Sequence, residues 1–357
     1  MKLLIQPQAG IAPLVAAIKK AKKSVDVVIF RFDRAEIEAA LQAAVERGVL
    51  VSALITYANH GGEKSLRKLE MRLLDAGVTV TRTDDELARY HDKLLIIDRK
   101  VLYVLSFNFT HLDVDHSRGF GIVTTKGKLV REALRLLASD NERVAYEAGL
   151  DTFVVSPGNA RKQLLALIQR AKKELLIYDP KIADVEMMRA LTERAKKGVD
   201  VRVIGGVGRR SHHLSLRPLS GLRLHARAIV RDRREAFVGS QSLRKAELDS
   251  RREVGVIVRN AKVIDGLVAT FEADWGATAT AAGDEPTTRA LKARVKRTVK
   301  KLSPLDADVK EAVNDVVKKK GSASLNKEEV KVTVAKAVKA AVRERVEEML
   351  NESEETG

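Results

Sequence analysis

The chain has 357 residues, a formal net charge of +17, 45% hydrophobic and 32% charged residues, and no cysteine. That length allows two or three structural units with a large core, and the missing cysteine excludes a disulfide framework and thiolate metal sites. The basic balance favours polyanionic partners, nucleic acid or an anionic lipid surface, without choosing between them; at 4% aromatics, base-stacking platforms for single strands are disfavoured.

In chain order, "MKLLIQPQAG" reaches Pro7 before a signal-peptide apolar region forms, and no run of eighteen apolar residues follows anywhere. A cytoplasmic protein without a membrane span is expected. Residues 11–23 place Ile11, Leu14, Ile18 and Ala21 on one helical face, predicting a helix. "VDVVIF" (25–30) and "VLVSALI" (49–55) read as short strands around a helical stretch at 34–47. Gly48 stands where a helix C-terminus favours positive φ. Strand, helix, strand in succession predicts right-handed crossovers and mixed, largely parallel sheets flanked by helices. "LLII" (94–97) suits a strand buried on both faces. "THLDVDHS" (110–117) and "GRRSHH" (208–213) read as polar loops, and the first matches no metal-ligand spacing.

The same pattern then returns. "LVAAIKKAKKSVDVVIF" at 14–30 matches "LLALIQRAKKELLIYDP" at 164–180. Ile18, Ala21, Lys22, Lys23, Gly48 and Val49 recur 150 positions later as Ile168, Ala171, Lys172, Lys173, Gly198 and Val199. A match of this span indicates domain-sized duplicated halves rather than a short solenoid, with boundaries at 1–150 and 151–282. From residue 283 the composition turns Lys- and Ala-rich. Residues 287–302 and 326–350 carry helical spacing, the second with Asn326 as N-cap and Glu329 three residues on. A solvated helical extension over 283–357 is the plainer reading, since acids balance most of the charge beyond residue 305; a basic amphipathic anchor is the sharper one.

The charged residues around "LLII" also have a twin. "YHDKLLIID" (90–98) is matched by "LHARAIVRD" (224–232), so His91, Lys93 and Asp98 correspond to His225, Arg227 and Asp232, 134 positions later. The register continues through Ser106 with Ser240, Asn108 with Ser242, Gly121 with Gly255 and Asp140 with Asp274. One His-x-Lys-x4-Asp is weak; its duplication within a duplicated scaffold is strong.

These motifs, with "FEADW" at 271–275, resemble the phospholipase D superfamily over roughly residues 1–280. The resemblance implies two α/β halves about a pseudo-twofold axis with one site at their seam. It implies that His91 attacks phosphorus to form a phosphohistidine. His225 would protonate the leaving alcohol, then activate water or an acceptor alcohol. Lys93, Arg227 and Asn108 would hold the phosphate, with Ser106, Ser240 and Ser242 nearby, and no metal or other cofactor is implied. Glu253, 28 residues after His225, matches the family acid that orients a histidine and is assigned to His225. The equivalent position after His91 is Gly119, so Asp113 or Asp115 is the expected support for the nucleophile. Leu105 stands for the first motif's glycine, Arg227 for lysine and Ser242 for asparagine, changes that narrow the substrate, slow the reaction or leave a half-site that only binds.

Three functions fit: a phospholipid phosphodiesterase or phosphatidyltransferase, peripheral at the inner face of the membrane; a nuclease on DNA or RNA; and a scaffold or phosphate-binding protein with an impaired site. Lipid chemistry stands first. Head group, acceptor and oligomeric state stay open.

Overall fold

The computed structural model describes residues 1–56, 63–83, 86–208 and 212–281. The chain divides into units Met1–Ala281 and Ala282–Gly357; the helices expected over 287–302 and 326–350 lie outside the described residues, as do residues 209–211 of the "GRRSHH" loop.

The first half opens with β1 (Lys2–Gln6), α1 (Ala12–Lys20), β2 (Ser24–Ile29), α2 (Ala35–Glu46), β3 (Leu50–Ile55), α3 (Glu63–Asp75) and β4 (Thr79–Arg82). It continues with β5 (Arg89–Tyr90), β6 (Leu94–Ile97), β7 (Val101–Leu105), α4 (His111–Asp115), β8 (Ser117–Thr124) and α5 (Gly127–Glu142). The second half repeats the plan with β9 (Phe153–Ser156), α6 (Ala160–Gln169), β10 (Glu174–Ile182), α7 (Val185–Lys196), β11 (Asp200–Val207) and β12 (Ser215–Arg217). It closes with β13 (Arg223–Leu224), β14 (Ala228–Arg231), β15 (Glu235–Gly239), α8 (Lys245–Asp249), β16 (Arg251–Val258) and α9 (Ala261–Ala281).

Each half builds an eight-stranded mixed sheet: β1-β8-β7-β6-β2-β3-β4 with β13 on β8, and β12-β11-β10-β14-β15-β16-β5 with β9 on β16. Crossover helices α2 and α3 make β2-β3-β4 parallel and α7 makes β10-β11 parallel, with β12 adding in parallel to β11. The antiparallel share exceeds what the strand-helix-strand succession implies, because β6 and β7 are joined by a tight turn, β7 and β8 by the segment that holds α4, and all three pair antiparallel, as do β14, β15 and β16. Gly48 and Gly198, at φ +79° and +86°, end α2 and α7 as their twin positions require.

"LLII" is buried on both faces because the two faces meet different cores. Leu95 and Ile97 join the core under α1, α2 and α3, with Leu14, Ile18, Leu41 and Leu69. Leu94 and Ile96 face a second core shared by both sheets, which also takes Val230, Val238 and Val256 and residues of α5 and α9. A third core under α6 and α7 mirrors the first. The result is helices, sheet, shared core, sheet, helices, with α5 and α9 in the shared layer.

Asp98 and Asp232 stand at the far end of their strands. Asp98 accepts from the backbone N–H groups of Lys22, Lys23 and Ser24 at 2.6–3.2 Å, and Asp232 from those of Lys172, Lys173 and Glu174 at 2.7–3.1 Å. Both turn residues have φ near +50°, a region tolerated by Asp better than by most residues. Each last aspartate thus ties its strand to the turn before the neighbouring strand.

Candidate active site

Two very short strands cross between the halves. β5 of the first half adds in parallel to β16 of the second, with Tyr90 opposite Arg252. β13 of the second adds in parallel to β8 of the first, with Leu224 opposite Arg118. The next residue in each case is a histidine: His91 N–H donates to the Arg252 carbonyl at 2.8 Å, and His225 N–H to the Arg118 carbonyl at 3.1 Å. Each histidine is therefore carried by one half and held by the other.

The crossing is pinned by buried ion pairs from the same residues. Arg118 makes a bidentate contact with Asp274 of α9, both bonds 2.8 Å, and Tyr178 Oη donates to the same carboxylate at 2.7 Å. Arg252 contacts Asp140 of α5 at 2.8 and 3.1 Å. The twin aspartates noted in sequence thus form twin cross-seam bridges. Their arginine partners, also 134 positions apart, escaped the sequence reading although "SRGFG" and "RREVG" carry the same register.

The exchange also decides which acid serves which histidine. Because Arg252 lies opposite Tyr90, the following residues, Glu253 and His91, meet: both Glu253 carboxylate oxygens accept from Nδ1 of His91, at 3.0 and 3.1 Å. This overturns the pairing of Glu253 with His225, which rested on their closeness in sequence. Asp113, expected beside His91, instead lies 3.5 Å from Nδ1 of His225, too long for a hydrogen bond, and pairs with Arg223 at 2.6 Å. Asp115 supports neither histidine; it bonds Arg34 at 2.5 Å and His111 at 3.3 Å. The reason is geometric: β8 presents Gly119 where β16 presents Glu253, so the second histidine finds its acid on α4.

Lys93 and Arg227 follow their histidines by two residues and fold back to the histidine's own carbonyl; Arg227 Nη1 does so at 2.8 Å, and Lys93 Nζ makes the matching bond. Nε of Arg227 and Nδ1 of His225 are buried without a hydrogen-bond partner among the described residues. Burial holds both imidazoles well below the ordinary histidine value, and Lys93 and Arg227 each push both rings further down. One pair of cations acting on both rings makes a single site. Burial likewise pushes Lys93 down to about 7, opposed by Glu253, and pushes Glu253 up to about 7, opposed by Lys93 and Arg227.

Asn108 donates from its backbone N–H and its Nδ2 to Asp113, at 2.9 and 2.6 Å. Ser242 uses its backbone N–H on Glu247, the twin of Asp113, and its hydroxyl donates to the buried Asp179. Asp179 has no counterpart in the first half, where Ile29 occupies the repeat position. Ser106, just past β7, accepts from Phe120 N–H of β8 at 2.8 Å, and Ser240, just past β15, from Val254 N–H of β16 at 3.1 Å. Leu105 packs where the motif glycine is expected: its side chain fills the space beside Gly121, whereas beside Gly255 the Phe237 ring and the Gln241 side chain fill the space that Gly239 leaves.

The family described as "Cardiolipin synthase, PLD-like domain" matches residues 14–140 and 164–275, more than half of the chain and both copies of the motif. The chain belongs to the phospholipase D superfamily. Mitochondrial cardiolipin hydrolase of Mus musculus is 28% identical over 141 residues, a match spanning 39% of this chain and 60% of that protein. The phosphatidylserine synthase of Haemophilus influenzae superposes with a TM-score of 0.62 at 11% identity, covering 86% of this chain and 94% of that one. A polyphosphate kinase from Porphyromonas gingivalis does so at 0.65 and 18% identity, covering 77% and 50%. The two superpositions show a shared fold and nothing finer.

Within that fold, the two polar segments read from sequence take different forms. Residues 111–115 form α4, capped by Thr110 and supplying Asp113, and among the described residues no group of three His, Asp or Glu side chains is arranged to hold a metal ion. His212 and His213 are exposed. Among the described residues no helix is long and apolar enough to cross a membrane.

Proposed function

We propose that this phospholipase D superfamily member cleaves or transfers phosphodiesters of phospholipids through a phosphohistidine on His91. The observation that carries the reading is the Glu253–His91 contact. With both carboxylate oxygens on Nδ1, that nitrogen carries the proton and Nε2 keeps its lone pair. The depressed basicity of the buried ring keeps it neutral at physiological pH, the form a nucleophile needs.

In the first step, Nε2 of His91 bonds to phosphorus as the phosphorus–oxygen bond to the leaving alcohol breaks. A proton on His225 passes to that oxygen. In the second step His225 takes a proton from water or an acceptor alcohol, whose oxygen attacks phosphorus and breaks the phosphorus–nitrogen bond. Lys93, Arg227 through its unpaired Nε, and Asn108 face the non-bridging oxygens. Two cations supply there the charge stabilisation that a metal ion supplies in other phosphoryl-transfer sites. Ser106, Ser240 and Ser242 shape the cradle through their protein partners and leave the phosphate to the cations. Phosphate arriving beside His225 raises its proton affinity, which arms it as the acid despite its low value in the free protein.

The lipid substrate is supported by the name of the matching family and of the curated relative, and by the +17 charge that suits an anionic surface. The test is turnover of labelled phosphatidylglycerol vesicles and of DNA, each with EDTA, by wild type and His91→Ala. Lipid turnover that survives EDTA and vanishes in the variant is expected. Cleavage of DNA alone replaces the lipid reading with a nuclease, and turnover of neither favours a phosphate-binding scaffold.

A further inference from the structure

The two flanks of the site differ in one respect that the duplicated motifs do not require. On the His91 side, Phe30 lies edge-on to the His91 ring with centroids 4.9 Å apart. Three cations surround that one phenyl ring: Arg89 at 5.2 Å, Arg31 at 5.6 Å and Lys93 at 5.9 Å from its centroid. Neither Arg31 nor Arg89 has a carboxylate partner among the described residues. Burial disfavours the charge on Arg89, as do Arg251, on the strand beside β5, and Arg31, while Glu253 and Glu247 favour it; Arg251 itself pairs with Glu247 at 3.4 Å. Arg31 is exposed and Arg89 half-buried, so the group opens to solvent while its floor is the buried His91–Lys93 pair.

The opposite flank lacks this arrangement. Arg223, the twin of Arg89, is neutralised by Asp113 at 2.6 Å. Pro180 stands at the position of Phe30, and Ser117 at that of Arg251. Mutual repulsion among cations around a shared ring is a standing cost that cation–π contact offsets only in part. Burial of a single phosphate between His91 and His225 engages Lys93 and Arg227 and leaves Arg31 and Arg89 unmatched. A second anion does match them.

We propose that Arg31 and Arg89, seated on Phe30, form a second phosphate subsite beside the reacting phosphate. It rests on the reading that the reacting phosphate lies between His91 and His225. Its ligand is a further phosphate group, carried either by the same substrate molecule or by a neighbouring anionic head group.

The experiment is calorimetric titration of the full chain with inorganic orthophosphate and with inorganic tripolyphosphate, for wild type, Arg31→Gln/Arg89→Gln, and the exposed charge control Lys20→Gln/Lys126→Gln. The expected result is tripolyphosphate binding weakened about 10- to 100-fold in the arginine variant, the equivalent of charge-assisted hydrogen bonds to one phosphate, with orthophosphate binding and the control unchanged. Equal weakening of both anions, or of neither, overturns the subsite. Arg31→Lys/Arg89→Lys guards against misfolding: it retains most of the tripolyphosphate affinity if charge is recognised, and loss there with an intact thermal transition also overturns the proposal. Lys93→Met fails separately: orthophosphate binding that survives it removes the reading of the reacting site and leaves the subsite result interpretable. The source of the phosphate follows from binding of wild type and the arginine variant to phosphatidylcholine vesicles with and without phosphatidylglycerol. A variant defect confined to the anionic vesicles assigns the neighbouring head group, and equal vesicle binding assigns a second phosphate of the same molecule.

Discussion

Replacing Glu253 by glutamine is expected to stabilise the protein while disabling it. The carboxyl is fully buried, and burial raises it from 4.5 to about 7. Between those values the folded protein holds the proton more tightly than the unfolded chain, so stability falls as pH rises from about 4.5 to about 7 and stays lowered above. The difference corresponds to on the order of 3 kcal/mol of native-state cost at pH 8. Glutamine has the same shape without the charge and relieves much of that cost, raising the melting temperature by several degrees at pH 8 and by little at pH 4.5. The chemistry moves the other way. A glutamine amide turned to donate to Nδ1 forces the imidazole proton onto Nε2 and removes the nucleophilic lone pair, a loss of about 10³- to 10⁴-fold in kcat by analogy with tautomer inversion in catalytic triads. Scanning calorimetry at the two pH values, with rapid-quench measurement of base-stable phosphorylated protein, reads both effects. A lower melting temperature at pH 8 with an undiminished phosphoprotein burst refutes the reasoning; accumulation of phosphoprotein instead of its loss gives Glu253 to the step run by His225.

Asp113→Asn lowers kcat less than Glu253→Gln, by about 10- to 100-fold, because the carboxylate sits 3.5 Å from His225 without a hydrogen bond; single-turnover kinetics locates the loss in phosphoprotein breakdown. The pH dependence of kcat/KM is bell-shaped around neutrality: the acid limb follows ionisation of Glu253 and the alkaline limb loss of charge from Lys93, both near 7 in the free protein. Substrate phosphate raises Lys93, so the alkaline limb of kcat lies at higher pH, and coincident limbs in the two profiles count against Lys93 as the phosphate ligand. Asp274→Asn and Asp140→Asn each leave a buried arginine without its countercharge and cost about 3–5 kcal/mol in urea denaturation; a change below about 1 kcal/mol removes the cross-seam bridge from the account. Asp98→Ala and Asp232→Ala each strip three backbone N–H groups of their acceptor and cost about 1–3 kcal/mol, in matched amounts because the two turns are twins.

Much of the architecture was legible because repetition in sequence is repetition in space. The 150- and 134-residue registers paired Gly48 with Gly198, His91 with His225 and Asp98 with Asp232, and each pair occupies equivalent places in the two sheets. "LLII" showed its double burial directly, since a strand between two cores has no polar face. The parallel share of the sheets was overestimated, because short connections such as that between β6 and β7 are signalled only by Asp98–Arg99 in the left-handed region, a conformation that asparagine and glycine announce more clearly than Asp-Arg.

The candidate site divides along the same line. Residue types and spacing by themselves picked out the candidate side chains: two histidines, a lysine and an arginine two residues on, an asparagine, and an acid at Glu253. They could not determine partnership. Glu253 was assigned to His225 because 28 residues separate them in sequence, yet it bonds His91, 162 residues away. The spacing describes one half, whereas the hydrogen bond is made between halves. Only the exchange of β5 and β13, two strands of two residues each and too short to leave a periodic signal, brings Arg252 against Tyr90 and Arg118 against Leu224. That exchange decided which carboxylate holds which imidazole, because hydrogen bonds follow distance in the folded chain and sequence motifs record only order along it.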